Sequence, residues 1–545
     1  MGVDTEYRQK ECDVLVVGGG GAGALAALEA GADKRLKVLV IARGPLGQSG
    51  LTPTGNGGTA TGYDRFFNDM VTGGRFLNEQ NLVKFMADEM VSCVEKLKDL
   101  GVPVAPLRPS RICVPGPDSV RVLRKKILEA GNVELLEDVL VTGLLKSDGR
   151  ISGAVALDLK TGEFLAVRTS AIVLATGGMT GELYPKTSNN PFGVSTDASG
   201  AGHVMAFRAG AEIIDPELIN FVPIPVGQLN TNIRYFPDFW AGPYQNGKGE
   251  IVESDVGKYI GGSYSWQVVR SLFKEMQEGR GPICVDHRGL STPTPGSTIK
   301  TWENRRRLIK MMGIDPKENK VELAIGSHFC TGGVRVNEKT ESAVPGLFAA
   351  GEIMGGVHGA LRIPGFSFTQ WIVFGFEAGR RAAKWVHGTG DRGEVKKEQI
   401  VAEKEKVFRF FRPGETGVSV NSLKSKLQKV METHVFVERN GTGLRQALSE
   451  IDMIREETAA LCVPDFRRYN LEWARAIEFQ FLVQVARLVA DGALMREESR
   501  GFHYRTDFPA EDNGKWLCHT MFKIDQGHIT KGTVPVNLDY QRPEA

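Results

Sequence analysis

The chain has 545 residues, 41% of them hydrophobic, enough for about two to four domains with sizeable cores. Its 67 basic and 65 acidic residues leave a formal net charge of +2, so bulk electrostatics exclude a nucleic acid or other polyanion as partner. The seven cysteines are scattered, without a C-x-x-C pair or Cys/His metal spacing, and read as reduced thiols rather than a disulfide framework or metal centre.

The polar N-terminus carries no apolar run of a signal peptide, and Glu6 stands where an acylation signal wants Ser or Thr. Val14-Leu15-Val16-Val17 is a short apolar run of the kind a fully buried parallel strand requires. It leads into Gly18-Gly19-Gly20-Gly21-Ala22-Gly23 and an Ala/Leu-rich helical stretch. Gly18, Gly20 and Gly23 occupy the G-x-G-x-x-G positions. The first permits a tight turn, the second brings backbone against a pyrophosphate, the third lets helix and strand close up, and the helix N-terminus offers N–H groups to phosphate. Residues 36–41 form a second strand, completing a βαβ unit on which a dinucleotide docks. The acid that would hold a ribose hydroxyl after that strand is replaced by Ala42-Arg43, so a glycine turn without ligand stays open at this point.

A Gly/Thr-rich loop follows at 47–62, and Leu82, Phe85, Met86, Met90, Val91 and Leu97 recur at helical spacing. A helix is expected at 120–130, a strand at 133–140, and a hairpin of 151–159 with 163–169, feeding the apolar strand 171–175. From 216 to 323 periodicity weakens while Pro, Gly and aromatics rise, which marks an inserted lobe. Strand character returns before Gly351-Glu352, and a helix spans 365–388. The charge-rich remainder reads as four helices at 394–411, 423–435, 443–461 and 470–494, with a polar, strand-poor tail. No apolar run reaches the length of a membrane span.

Several motifs follow in order: the glycine turn, Ser49-Gly50 with Gly57-Gly58, Ala175-Thr176-Gly177-Gly178, Thr196-Asp197-Ala198-Ser199-Gly200, and His328 with Thr331-Gly332-Gly333. After these come Pro345-Gly346-Leu347-Phe348-Ala349-Ala350-Gly351-Glu352, Val357-His358-Gly359-Ala360-Leu361-Arg362, and Arg496 through His503 with Asp507-Phe508-Pro509. Together they resemble the flavoprotein subunits of the succinate dehydrogenase/fumarate reductase family, which includes L-aspartate oxidase and the adenylylsulfate reductase flavoprotein. The resemblance covers nearly the whole chain. It implies an α/β fold with a discontinuous Rossmann-like FAD-binding domain (1–215 and 324–388), an inserted α+β capping domain (216–323), and a C-terminal helical domain with its tail (389–545). It also implies FAD held by Gly18, Gly20, Gly23, Arg43, Ser49, Gly50, Gly57, Gly58, Val139, Thr176, Gly177, Asp197, Gly351, Glu352 and Ser367. Arg362 and His328 are the implied catalytic residues, holding a small anionic substrate while hydride passes between flavin N5 and a substrate carbon. An iron–sulfur protein subunit on another chain is the implied electron partner, with a cytoplasmic location and membrane contact only through partners. In this family the position of Ala42-Arg43 is often non-acidic.

The residues themselves suit these roles. Glu352 follows a strand and a glycine, where a carboxylate accepts from ligand hydroxyls, and Gly57-Gly58 and Gly177-Gly178 let backbone lie against a flat ring without Cβ clashes. Arg362 offers a bidentate fork to an oxyanion, and His328 a further donor. His203, His287 and His503 read as structural, and 496–503 as a bridge between the helical and flavin domains.

Departures from the family pattern matter equally. Members that attach FAD covalently carry Ser-His-Thr where this chain has Gln48-Ser49-Gly50, and no histidine precedes residue 203, so non-covalent FAD is expected. Enzymes acting on succinate or fumarate carry His-Pro-Thr-Gly after a Phe; here the stretch is Phe221-Val222-Pro223-Ile224, both polar groups being replaced by aliphatics, and Trp266 stands at the position of a proton-shuttling arginine. Ordinary fumarate chemistry is therefore not expected, and a bulkier or less charged substrate fits better. Trp266, with Phe236, Phe239 and Trp240, forms either an aromatic wall over the flavin or the core of the lobe. Two other readings stay open: an electron-relay flavoprotein subunit of a larger redox complex, either resembling adenylylsulfate reductase or without its own small substrate, and a soluble oxidase of the L-aspartate oxidase kind.

Overall fold

The computed structural model describes residues 6–54, 56–60, 63–108, 111–186, 198–226, 244–252, 266–286, 320–389, 392–412 and 417–544. At its centre lies a five-stranded sheet in the order Leu347–Ala349, Ala171–Leu174, Val14–Val17, Val38–Ala42, Val133–Glu137, with every neighbouring pair parallel. Val14–Val17, Val38–Ala42 and Ala171–Leu174 are buried at every position. Their unbroken apolar runs serve a sheet covered on both faces, each buried Val, Leu or Ile contributing roughly 1.5–3 kcal/mol. The helix Gly21–Ala30 packs on the helix Phe366–Thr389, where Gly375 and Gly379 lie against the Ala22 and Ala26 carbonyls and leave no room for a Cβ. This close crossing brings Trp371 onto Gly21, so the long helix starts beside the glycine turn.

Three segments differ from the sequence expectation. Residues 133–140 divide at Asp138, whose φ of 61° turns the chain out of the parallel sheet. Val139–Ser147 then pairs antiparallel with Arg150–Asp158, which pairs with Phe164–Arg168 as the expected hairpin. Within the 47–62 loop, Asn56–Ala60 is a strand, because Arg111–Pro115 supplies backbone partners that a glycine-rich composition does not announce. The tail is not strand-poor: Cys518–Asp525 and His528–Pro535 form a hairpin joined to Ile213–Ile214. Its outer strand is largely exposed, so no apolar alternation marks it.

Within residues 219–330 lies a further sheet in which Ile219–Pro225 pairs antiparallel with Val321–Cys330, followed by Ile283–Val285 and Tyr244–Gln245; most of Val321–Cys330 lies past the boundary expected at 323. The four expected C-terminal helices are Lys397–Phe408, Val420–His434, Gly441–Glu457 and Leu471–Met495. The last three start on Ser419, Asn440 and Asn470, whose side chains accept from the first-turn N–H groups.

Just before the strand Ile219–Pro225, a buried cluster of charges joins distant parts of the chain. Arg496 lies 2.9 Å from Asp215, 2.7 Å from Glu217 and 3.1 Å from Glu498. Arg500 pairs with Glu498 at 2.7 Å, and Arg439 donates to the Glu217 carbonyl and to His503 Nδ1, each at 2.9 Å. His503 Nε2 donates to the Arg496 carbonyl. These groups engage one another, which is the arrangement of a bridge rather than of a catalytic patch.

His519, absent from the sequence expectations, bonds Asp215 and faces Glu79 at 3.4 Å. Burial alone would push its pKa down, but the charge and hydrogen bond of Asp215, with those of Glu79, hold it up at about 9. Because that lies above the ordinary 6.5, its stabilisation is complete below pH 6.5 and is lost as pH rises through 9. The shift corresponds to about 3 kcal/mol. Denaturant midpoints are expected to fall by that equivalent between about pH 7 and about pH 10, and His519→Gln should flatten the decline. An undiminished slope in the variant would assign the pH dependence to other groups.

Candidate active site

The glycine turn has the geometry its sequence implies. Gly18 takes a φ of 120°, and a Cβ there would collide with the Ala175 carbonyl, as one at Gly23 would with the Gly18 carbonyl. Gly20 caps the helix Gly21–Ala30 without a side-chain acceptor of its own, and the Gly21 N–H donates to Thr52 Oγ1 at 3.1 Å. Across the sheet, Gly177 has a φ of 74° and opens to space where a Cβ would meet nothing within 4 Å. Gly178 lies against the Glu352 carboxylate so closely that no Cβ fits between them, and Glu352 stands on the turn made by Gly351 (φ 81°).

Thr176 Oγ1, Thr369 Oγ1 and Trp371 Nε1 are buried without a hydrogen-bond partner among the described residues. Polar atoms left in that state cost about 1–3 kcal/mol each. Bare glycine surfaces beside unsatisfied polar groups, at the N-terminus of a helix, suit a long flat ligand with hydroxyls and phosphates; the residues present fit FAD. Gly178→Ala should displace Glu352 and lower FAD affinity about 10- to 100-fold, the loss expected for hydrogen bonds to one charged group. Equilibrium dialysis of the variant measures it, and unchanged retention would remove Glu352 from the cofactor site.

The remaining expected cofactor residues fall in several places. Gly57 and Gly58 pair with Val114 and Cys113, Gly50 has a φ of 80°, and Ser49 Oγ donates to the Pro45 carbonyl at 3.3 Å. Val139 is buried at the start of its strand, directly after the Asp138 turn. Arg43 is bound by Glu478 at 2.5 and 3.0 Å. Asp197 lies outside the described residues, as do His287, Phe236, Phe239 and Trp240. Ser367 Oγ accepts from Arg362 Nη1 at 3.2 Å, which places its side chain beside that arginine.

Arg362 and His328, 34 residues apart, meet: Arg362 Nη2 donates to His328 Nε2. Both are buried, at 6% and 8% exposure. His328 reaches this position through a β-bulge. Asn220 pairs with Phe329 and Phe221 with Ser327, so His328 is the extra residue, and bulges re-aim side chains in this way. The loop carrying Arg362 is fastened to residues 74–78, where Ala360 N–H donates to the Gly74 carbonyl and Asn78 Nδ2 to the Val357 carbonyl, each at 2.8 Å. Because a guanidinium only donates, His328 Nε2 is an acceptor here. The donor role expected of it requires a proton to reach Nε2 when an oxyanion takes the guanidinium.

Around this pair, the Arg362 guanidinium covers the Phe329 ring at 4.9 Å. Val222 and Ile224, at the positions where dicarboxylate-binding polar groups were expected to be missing, form a buried apolar cluster with Ala324. They lie opposite Gly326 and Ala324 on the strand that carries His328, just ahead of the bulge that re-aims it. Trp266 opens the helix Trp266–Gln277 and is partly buried against the main core, with the Arg270 guanidinium 5.8 Å from its ring. Both facts favour its reading as lobe core. His203 is buried, with neither ring nitrogen bonded among the described residues, and burial pushes its pKa down to about 3.

Phe329, Thr369, Gln370 and Trp371 escaped the sequence reading. The available signal was the polar pair Thr369-Gln370 at the start of an otherwise apolar helix.

Residues 13–368 match the family model described as FAD binding domain, and residues 424–544 the one described as fumarate reductase flavoprotein C-term. An uncharacterised FAD-dependent oxidoreductase of Methanocaldococcus jannaschii is 32% identical, over 94% of this chain and 96% of its own length. One of the subunits of the fumarate reductase (CoM/CoB) of Methanothermobacter marburgensis is 29% identical, over 93% of this chain and 96% of its own. Among solved structures, a chain of E. coli quinol fumarate reductase superposes with a TM-score of 0.87 at 22% identity, covering 99% of both chains, which shows the shared fold.

Proposed function

The chain belongs to the fumarate reductase/succinate dehydrogenase flavoprotein family of FAD-dependent oxidoreductases, and we propose that it reduces or oxidises an anionic organic substrate held by Arg362 and His328. The observation that carries this reading is the buried Arg362–His328 contact. Bound FAD supplies the two-electron, hydride-transferring chemistry at N5. Gly18, Gly20 and Gly23 with the helix behind them would hold its pyrophosphate, and Glu352 and Thr176 its hydroxyls. Arg362 fixes a substrate oxyanion with two parallel N–H groups and stabilises charge that grows on it during transfer. His328 neutralises or relays a proton at Nε2. The Val222–Ile224–Ala324 surface supports a substrate bulkier or less charged than fumarate.

On this reading the FAD-binding parts are 1–215 and 324–388, capped by 216–323, and FAD is held without a covalent bond. Electrons are exchanged with an iron–sulfur protein on a separate chain, a reading supported by the methanogen relative, whose name makes it one component of a multi-chain fumarate reductase. Among the described residues no helix is long and apolar enough to cross a membrane, and we place the chain in the cytoplasm or at a membrane face through partners.

The purified chain should release FAD on acid precipitation. Its dithionite-reduced form should be reoxidised by an anionic enoate or sulfonucleotide faster than by fumarate. Reoxidation only by a co-purifying iron–sulfur protein would favour the electron-relay reading, and flavin remaining in the acid pellet would overturn the non-covalent one.

A further inference from the structure

Between Arg362 and the Gly351 turn runs a chain of side chains whose protons have only one consistent placement. Gln370 Nε2 donates to the Gly351 carbonyl at 3.0 Å, which turns its amide oxygen toward His358. His358 Nε2 lies 2.9 Å from that oxygen, and an amide oxygen only accepts, so Nε2 carries the proton. Burial, and then the charge of Arg362, push the His358 pKa down to about 3, so the ring is neutral and Nδ1 is a bare lone pair. Nδ1 is buried in a residue 1% exposed and has no hydrogen-bond partner among the described residues. The ring meets Phe329 edge-on at 5.4 Å, the same Phe329 that Arg362 covers. His358 therefore sits between the oxyanion-binding pair and the cofactor turn.

We propose that His358 Nδ1 accepts a hydrogen bond from a neutral O–H or N–H group of the bound ligand, with Gln370 as the positioning residue that fixes its tautomer. The proposal rests on the reading of this site as one for FAD and an anionic substrate. The nearby Arg362 charge disfavours an ammonium donor. Two sources supply the required chemistry: a hydroxyl or ring N–H of the cofactor, and a hydroxyl on the substrate.

The test compares holoprotein of the wild type with His358→Phe, which keeps a ring but no acceptor, and His358→Asn, whose amide oxygen reaches the place of Nδ1. FAD retention is measured by dialysis, and binding of malate and succinate by the change in flavin absorbance. With the donor on the cofactor, His358→Phe loses FAD affinity about tenfold and shifts the flavin midpoint potential, and His358→Asn restores both. With the donor on the substrate, FAD retention is unchanged. Wild type then binds malate about tenfold more tightly than succinate, a preference that Phe erases and Asn restores. A Phe variant equal to wild type in all these readouts, or an Asn variant no better than Phe, overturns the proposal. A wild type that binds FAD but turns over no anion would instead overturn the functional reading while leaving the FAD arm decisive.

Discussion

Arg362→Ala is expected to lower kcat/KM by about 10³-fold, the upper range for removing a preorganised donor to developing negative charge. FAD content and the visible spectrum of the flavin should stay as in the wild type. The argument rests on what the guanidinium touches. Its contacts include His328, Ser367 Oγ at 3.2 Å and the face of Phe329, with His358 and Gln370 between it and the cofactor turn. Arg362→Lys separates charge from geometry: an ammonium keeps the positive charge but not the two parallel N–H groups, and should recover about tenfold of the loss. If Arg362→Ala kept full activity, the oxyanion would have to be held elsewhere. If it lost FAD along with activity, Arg362 would belong to the cofactor site.

How much of this was legible in the sequence depended on the range of the interactions. Val14-Leu15-Val16-Val17 with the glycines after it announced a buried parallel strand and a phosphate-binding turn, because local sterics alone demand glycine at Gly18 and Gly23. The pairing of Arg362 with His328 had no local signal; it entered through the family resemblance, and the bulge that delivers His328 depends on the register of two strands about 100 residues apart in the chain. The break at Asp138 was hidden because a single left-handed residue, one acid among Glu134, Glu137 and Asp138, divides what reads as one strand. The Cys518–Asp525 hairpin was missed because half of it faces solvent. Arg43 entered only through the resemblance, as a cofactor residue, and its Glu478 partner, 435 residues away, had no local signal.

The charge cluster around Arg496 was legible only as a motif, and its energetics give the second large effect. Arg496→Ala would leave Asp215, Glu217 and Glu498 facing a cavity with their shared cation gone, and breaking a buried ion pair on one side costs about 3–5 kcal/mol. In a chain of several domains this is best read as a fall in the denaturant midpoint together with new protease cleavage, rather than as one unfolding free energy. The carboxylates should respond unequally. Burial tends to raise Asp215, but protonated His519 and Arg496 hold its carboxyl well below its ordinary pKa, so it stays ionised. Burial, reinforced by Asp215, holds Glu217 above its ordinary value despite Arg496. Asp215→Asn removes a charge that two buried cations need, whereas Glu217→Gln removes a charge that is already disfavoured, keeps an acceptor oxygen for Arg496 and turns an N–H toward the Thr520 hydroxyl, which can accept it. Asp215→Asn should therefore lower the midpoint clearly more than Glu217→Gln. The reverse order would mean that Arg496 depends on the Glu217 carboxylate more than on that of Asp215.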